Sequence, residues 1–361
     1  MIKFLDIYKQ DKKFHKKILK DLNKTFRKGD FILGSDVQKF EKNFAKFCNS
    51  KYAIGCANGT DALTIALKSL DLKKNSEVII PAMTYCSTAF SVINANLKPI
   101  LVDTEYLSST IDIEKLRNKI TNKTKVIMPV HLYGSVADVD QIRKLIKNKK
   151  IFIIDDCAQA HGASDDKGNK IGSISDISTF SLYPGKNLGA YGDAGIITTN
   201  SNALNKKIRK IRNLGSEKKF VHDTIGCNSR LDTIQAIILN YKLKNLNNLN
   251  QKRREIAKKY DQFILNKKVR KIQYSKNSIY HQYVILTKSK KKLIKLLNKN
   301  KIQFGFHYPY PIHKLKIFKK FFKGQKFKNS EILASEGISL PIDPNLTNKQ
   351  ISSIIKTINK L

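Results

Sequence analysis

Tryptophan is absent from this chain of 361 residues, and that absence by itself excludes nothing. The shortage of arginine excludes more. Nine arginines stand beside fifty-nine lysines, and acidic residues number only 29, so the formal net charge is +39. A charge of that size suits a nucleic-acid or anionic-membrane binder. Base and phosphate recognition, however, favours the planar fork of arginine over the lysine point charge. The lysines fall in runs such as "KSKKKLIKLLNKNK" (288–301), alternating with Leu and Ile at helical spacing, as on a solvated helix face. Neither nucleic acid nor membrane is therefore expected as a partner. The positive field would instead help capture an anionic substrate such as a nucleotide diphosphate.

Paired cysteines are also missing. Cys48, Cys56, Cys86, Cys157 and Cys227 are scattered without a CxxC spacing, so neither zinc nor an iron–sulfur cluster is expected. Four of them sit beside apolar or small residues and read as reduced packing residues. No apolar run approaches the roughly 18 residues of a membrane span. The opening "MIKFLDIYKQDKKFHKK" has no apolar core of a signal peptide, and the expected location is cytoplasmic.

What the chain does contain is alternation. Short apolar runs at 52–57, 77–82, 99–103, 125–130, 151–155, 177–183 and 194–199 read as strands. Helical patterns separate the early ones: "TDALTIALKSL", "STAFSVINA", "IEKLRNKI" and "DVDQIRKLIKN" (138–148). The runs are continuous rather than alternating, which suggests strands buried on both faces. The expected fold class is α/β, with a mixed, mostly parallel central sheet of about seven strands flanked by helices. The last two strands are joined by a loop without a helix, hence the mixed character. The length suits two domains, placed at 1–245 and 246–361, the second a smaller α+β unit. A helical stretch over 232–264 would carry the chain between them. Beyond it, 281–287 reads as a strand, 290–300 and 351–361 as helices, and the aromatic, Pro-rich segment 303–316 as an ordered loop.

Ligands of open α/β sheets sit at the C-terminal ends of the strands, and three such ends carry chemistry. In "CANGTDAL" (56–63), Gly59 permits a tight turn and a helix starts near Thr60–Asp61, whose free N–H groups make an anion site; an N-cap by Thr60 or Asp61 is the plainer alternative. In "IFIIDDCAQAHGA" (151–163), a strand-end carboxylate is costly unless a cation or donor meets it. No His, Asp or Glu spacing typical of a metal site accompanies it. In "SLYPGKNLGAYGDAG" (181–195), Lys186 stands among small and apolar residues, its nearest charges being Asp176 and Asp193. A Walker loop fails there, with Phe180 where its first glycine belongs and Asn187 after the lysine. The glycines run GxxGxxG, which excludes the dinucleotide fingerprint. What remains is a poorly solvated lysine of lowered pKa, able to act as nucleophile or base. A buried lysine, a strand-end carboxylate and an anion-binding helix start together answer to pyridoxal 5'-phosphate.

These motifs, with "FILGSDVQKFEKNFAKF" (31–47), "IIPAMTYCSTAFSV" (79–92), "PVHLYGSVADVDQI" (129–142), "NSRLDTIQAIIL" (228–239), "HYPYPIH" (307–313) and "ISLPIDPNLT" (338–347), make the chain resemble the DegT/DnrJ/EryC1/StrS family of nucleotide-sugar aminotransferases of fold type I. The resemblance implies Lys186 as the Schiff-base lysine and Asp156 as partner of the pyridine nitrogen, with Asp155 in place of the family's glutamate. It implies Gln159 at the cofactor's phenolic oxygen, Gly59, Thr60 and Ser181 at the phosphate, and Tyr85 stacked on the ring. Asn228 would reach the phosphate from the partner subunit, so a homodimer with shared active sites is implied. Tyr183, Tyr308 and His313 lie in segments that line the sugar pocket in this family. The chain departs from the family pattern at Asn58, Gly185 and Ser229. Lys186 argues against the dehydratase branch, which carries histidine there. The implied reaction is transfer of an amino group from an amino acid, L-glutamate by family, to a nucleotide-linked keto-deoxyhexose. "HLYG", "AQAHGA" and "YPGKNLGAYGDAG" point to C3 rather than C4. A C4 aminotransferase and a non-catalytic basic binding or regulatory protein on this fold are the alternatives.

Overall fold

The structure is a computed structural model that describes residues 1–147, 149–218 and 220–361. Its main sheet contains β1 (Tyr52–Cys56), β2 (Glu77–Pro81), β3 (Lys98–Val102), β4 (Thr124–Ile127), β5 (Phe152–Asp156), β6 (Ile177–Ser181) and β7 (Gly195–Thr199). The spatial order is β1-β7-β6-β5-β4-β2-β3. Pairs from β3 through β6 are parallel, whereas β7 runs antiparallel to both β6 and β1. The mixed, mostly parallel sheet of the sequence reading is thus present. The run expected over 125–130 stops at Ile127, where the following Pro129 offers no N–H to the ladder.

Helices α1 (Ile7–Asp11), α2 (His15–Lys28), α3 (Ser35–Cys48), α4 (Gly59–Lys68), α5 (Cys86–Asn94), α6 (Ile113–Arg117), α7 (Val139–Leu145), α8 (Asn202–Arg212) and α9 (Thr233–Leu243) belong to this half of the chain. Asn148, the last residue of the helical pattern expected over 138–148, lies outside the described residues. Side chains alternate across each strand, so both faces of the sheet need cover. Ile54, Val78, Ile80 and Ile154 face α4, α5 and α8, packing on Leu63, Leu67, Val92 and Ile208. Ala53, Phe180 and Ile196 face α3 and α9, packing on Phe40, Phe44, Ala236 and Leu239. A short hairpin, β8 (Ser216–Lys218) and β9 (Val221–His222), stands outside the sheet.

The helix expected over 232–264 is two helices. The first ends at Leu243, Lys244–Asn245 form a turn, and α10 (Leu246–Phe263) follows. Lysine and asparagine continue the polar pattern through the turn, so composition conceals it. The remainder holds a three-stranded antiparallel sheet, β10 (Arg270–Lys271), β11 (Tyr283–Leu286) and β12 (Gly337–Leu340), with α11 (Lys290–Lys299), α12 (Lys328–Glu336) and α13 (Asn348–Asn359). Tyr260, Tyr283, Leu293, Leu297, Ile338, Ile354 and Ile358 form its core. The N-terminal residues return to this unit: Ile2 pairs with Ile302, and the Phe4 N–H donates to Gln303 Oε1 at 2.8 Å. Among the described residues, no helix is long and apolar enough to cross a membrane.

Candidate active site

Strand order creates the site. Cys56 pairs with Gly195, Gly195 with Ser181, and Thr179 with Asp156, so the ends of β1, β6 and β5 and the start of β7 lie side by side at one edge. Above that edge is a cavity of about 800 Å³. Gly59, Thr60, Tyr85, Asp156, Gln159, Ser181, Tyr183, Lys186 and Tyr308 all line it. Residues from 59 to 308 thereby converge on one space.

Lys186 reaches this position through a turn closed by its own N–H donating to the Tyr183 carbonyl at 2.9 Å. The turn folds back so closely that a Cβ on Gly189 would lie 2.4 Å from the Pro184 carbonyl oxygen, so only glycine fits. Burial lowers the Lys186 pKa to about 8, while attraction to Asp156 pulls it back up. Asp156 ends β5 with its carboxylate in the cavity wall, accepting from Thr88 Oγ1 at 2.8 Å and from the Ala158 N–H at 3.1 Å. Burial raises its pKa; these hydrogen bonds and Lys186 oppose the rise. For both groups burial outweighs mutual attraction, so each is shifted toward its neutral form.

The candidate anion site is the start of α4. Its N-cap is Asn58, whose Oδ1 accepts from the Asp61 N–H at 2.8 Å, and not the expected Thr60 or Asp61. That cap satisfies one N–H and, by helix geometry, leaves those of Gly59 and Thr60 without an intrahelical acceptor. Ser181 packs directly beside them: a Cβ on Gly59 would fall 2.6 Å from Ser181 Cβ. Ser229 supports this corner, its Oγ accepting from the Ala57 N–H at 3.1 Å and donating to Asp61 Oδ2 at 2.7 Å. Gln159 is held by the Tyr133 N–H, which donates to its Oε1 at 2.6 Å, while its Nε2 donates to Tyr308 Oη at 2.8 Å. Tyr85 is half-exposed at the mouth, 5.4 Å ring to ring from Tyr308.

Two expected site residues do not line this cavity. His313 is buried but does not line the cavity. The turn Ile312–Lys314 directs it to the other side, where Nε2 donates to Glu331 Oε1 at 2.8 Å and the ring packs 4.9 Å from Phe327. Asn228 is exposed, outside the lining of its own chain's cavity. Sequence reasoning missed Phe4, Leu5, His281, Gln282 and His307, which also line the cavity. His307 opens the "HYPYPIH" segment, but no local motif marks the other four, and long-range folding brings them in. It also missed a buried cluster of His131, Asp155 and Cys157, whose ligand-type atoms lie within 4.8 Å of one another. His131 Nδ1 accepts from the Ala137 N–H at 3.1 Å, which puts its proton on Nε2, 3.4 Å from Asp155 Oδ2. The cluster lies behind β5, since Asp155 and Asp156 point to opposite faces of the strand.

An amine, a carboxylate and an anion cradle at the edge of this sheet are the arrangement of the fold-type I aminotransferases. Solved structures superpose on nearly the whole chain. That of DesV from S. venezuelae, in complex with a ketimine intermediate, gives a TM-score of 0.97 at 31% identity, covering 99% of this chain and 98% of that one. That of NtdA from Bacillus subtilis with bound cofactor PMP gives 0.88 at 29% identity, covering 94% and 80%. Among curated proteins, the dTDP-3-amino-3,6-dideoxy-alpha-D-galactopyranose transaminase of Aneurinibacillus thermoaerophilus is 39% identical over 362 residues, 100% of this chain and 99% of its own length. Residues 12–359 match the DegT/DnrJ/EryC1/StrS aminotransferase family. The chain belongs to that family.

Proposed function

We propose that this aminotransferase moves the amino group of L-glutamate to C3 of a nucleotide-linked keto-deoxyhexose, working as a cytoplasmic homodimer. Its cofactor is pyridoxal 5'-phosphate. The site offers a counterpart to each functional part of that molecule: an amine for the aldehyde, a buried carboxylate for the ring nitrogen, and helix N–H groups with Ser181 for the phosphate. When bound, the cofactor supplies an electron sink that lets a Cα–H bond break.

The chain's own residues do the rest. Gly59, Thr60 and Ser181 would anchor the phosphate, and Asp156, fixed by Thr88, would keep the ring nitrogen protonated. Gln159 would orient the phenolic oxygen, with its amide already directed by Tyr133 and Tyr308. Lys186 Nζ, with a pKa of about 8, takes the proton released at the donor's Cα and returns one in the sugar half of the cycle. Tyr85 would stack on the cofactor ring, while Tyr183 and Tyr308 form the aromatic mouth that would receive the sugar. Asn228 would act on the partner subunit's cofactor.

The observation that carries the reading is the convergence of Lys186, Asp156 and the start of α4 on one cavity. The C3 assignment is supported by the 39% identical relative, which is named as a 3-amino sugar transaminase. The test is to load the holoenzyme with L-glutamate and then screen dTDP-, UDP- and GDP-linked keto-sugars, following the cofactor spectrum and identifying the product. A 3-amino sugar is expected. A 4-amino product refutes the regiochemistry, and inertness toward every amino acid refutes the activity.

A further inference from the structure

One buried polar atom of a residue that lines the cavity has no partner, and the hydrogen bonds behind it determine what it is. The chain of bonds begins at the backbone carbonyl of His161, which can only accept. Asn250 Nδ2 donates to it at 2.8 Å, so Asn250 Oδ1 faces the other way. Asn187 Nδ2 donates to that oxygen at 2.8 Å and to the Ile279 carbonyl at 3.3 Å. Both acceptors fix the Asn187 amide, leaving Oδ1 for His281. His281 Nδ1 lies 3.0 Å from Asn187 Oδ1 and must therefore carry the proton. A neutral His281 then has its lone pair on Nε2, and Gln282 Nε2 sits 3.4 Å from it as donor. Burial, aided by the charge of Lys186, keeps His281 neutral. Every member of this relay is buried. The amide of Gln282 is thus locked with Oε1 as the remaining acceptor, and that oxygen has no hydrogen-bond partner.

A buried acceptor left unpaired costs free energy that a bound donor recovers. His281 and Gln282 both line the cavity with Lys186. The cofactor brings acceptors, apart from a ring N–H directed at Asp156. Glutamate brings two carboxylates and a nitrogen engaged in the reaction itself. A hydroxyl-bearing sugar is the partner that supplies a donor. We infer that Gln282 Oε1 accepts a hydrogen bond from a hydroxyl of the keto-sugar, making Gln282 a specificity-determining residue of the sugar half-reaction. This rests on the proposed function above.

The experiment separates the two half-reactions. In Gln282→Met holoenzyme, L-glutamate is expected to convert the cofactor spectrum at the wild-type rate, while kcat/KM for the keto-sugar falls roughly 10- to 100-fold. Wild-type enzyme is assayed in parallel with keto-sugars in which single hydroxyls are replaced by hydrogen. One such analogue should lose the same factor in the wild type and nothing further in Gln282→Met. Equal slowing of both half-reactions, an unchanged sugar half-reaction, or wild-type indifference to every missing hydroxyl overturns the assignment. If wild-type enzyme converts its cofactor with glutamate yet accepts no keto-sugar, the proposed function falls and takes this assignment with it.

Discussion

His161 allows a prediction with a worked magnitude. Its ring is buried behind Lys186, and both nitrogens lack a hydrogen bond of good geometry. Burial and the charge of Lys186 depress its pKa from 6.5 to about 3, with a weak contact to the Ser181 backbone pulling the other way. The folded protein therefore holds this imidazole neutral at pH values where the unfolded chain protonates it. Stability from this group is complete above pH 6.5 and is lost as pH falls toward 3. One pKa unit corresponds to about 1.4 kcal/mol, so the loss between pH 7 and pH 5 is about 2 kcal/mol for this residue alone. That is a sizeable part of the roughly 5–15 kcal/mol that holds a typical domain together. The assay is urea unfolding of cofactor-free protein, wild type and His161→Leu, at both pH values and one fixed protein concentration. Taking the difference between the two proteins cancels the packing cost of the substitution. Wild type should lose about 2 kcal/mol more than the variant on acidification. Parallel losses would show that His161 titrates normally in the folded state and is not a neutral backing for the lysine.

Other substitutions bear on the site itself. Asp156→Asn removes the buried carboxylate proposed to partner the cofactor's ring nitrogen, and single-turnover rates with glutamate should fall by about 10²- to 10³-fold; a near wild-type rate would place the ring partner elsewhere. Gly59→Ala puts a Cβ 2.6 Å from that of Ser181, which forces backbone to move. It should cost about 1–3 kcal/mol of stability and weaken cofactor binding, read by thermal unfolding and cofactor titration. Asn228 is exposed and outside its own chain's cavity lining, and its proposed role is in trans. Mixing Lys186→Ala with Asn228→Ala subunits should restore activity; inactivity despite verified exchange contradicts shared sites.

The seven main strands were legible because burial on both faces demands uninterrupted apolar runs such as "EVIIP" and "GIITT". Lys186 and Asp156 were legible for the opposite reason: each is a charge where burial makes charge expensive. The turn at Lys244–Asn245 was invisible, since its residues suit an exposed helix equally well. β12 was missed because its partner, β11, lies some fifty residues away and four-residue strands leave a weak pattern. His313 shows that proximity in sequence to cavity residues does not set side-chain direction, which Phe327 and Glu331 decide here. His281 and Gln282 carry no motif at all. Their place in the wall follows from the packing of β11 against the loop after β4, where the Gln282 N–H donates to the Tyr133 carbonyl at 3.2 Å.

The central claim is that one lysine of fifty-nine holds the cofactor. Borohydride reduction of the holoenzyme fixes the cofactor to whichever lysine carries it, and peptide mass spectrometry reads the position. The account predicts a phosphopyridoxyl group on Lys186, and no such label in Lys186→Ala. Stoichiometric label on any other lysine would contradict it.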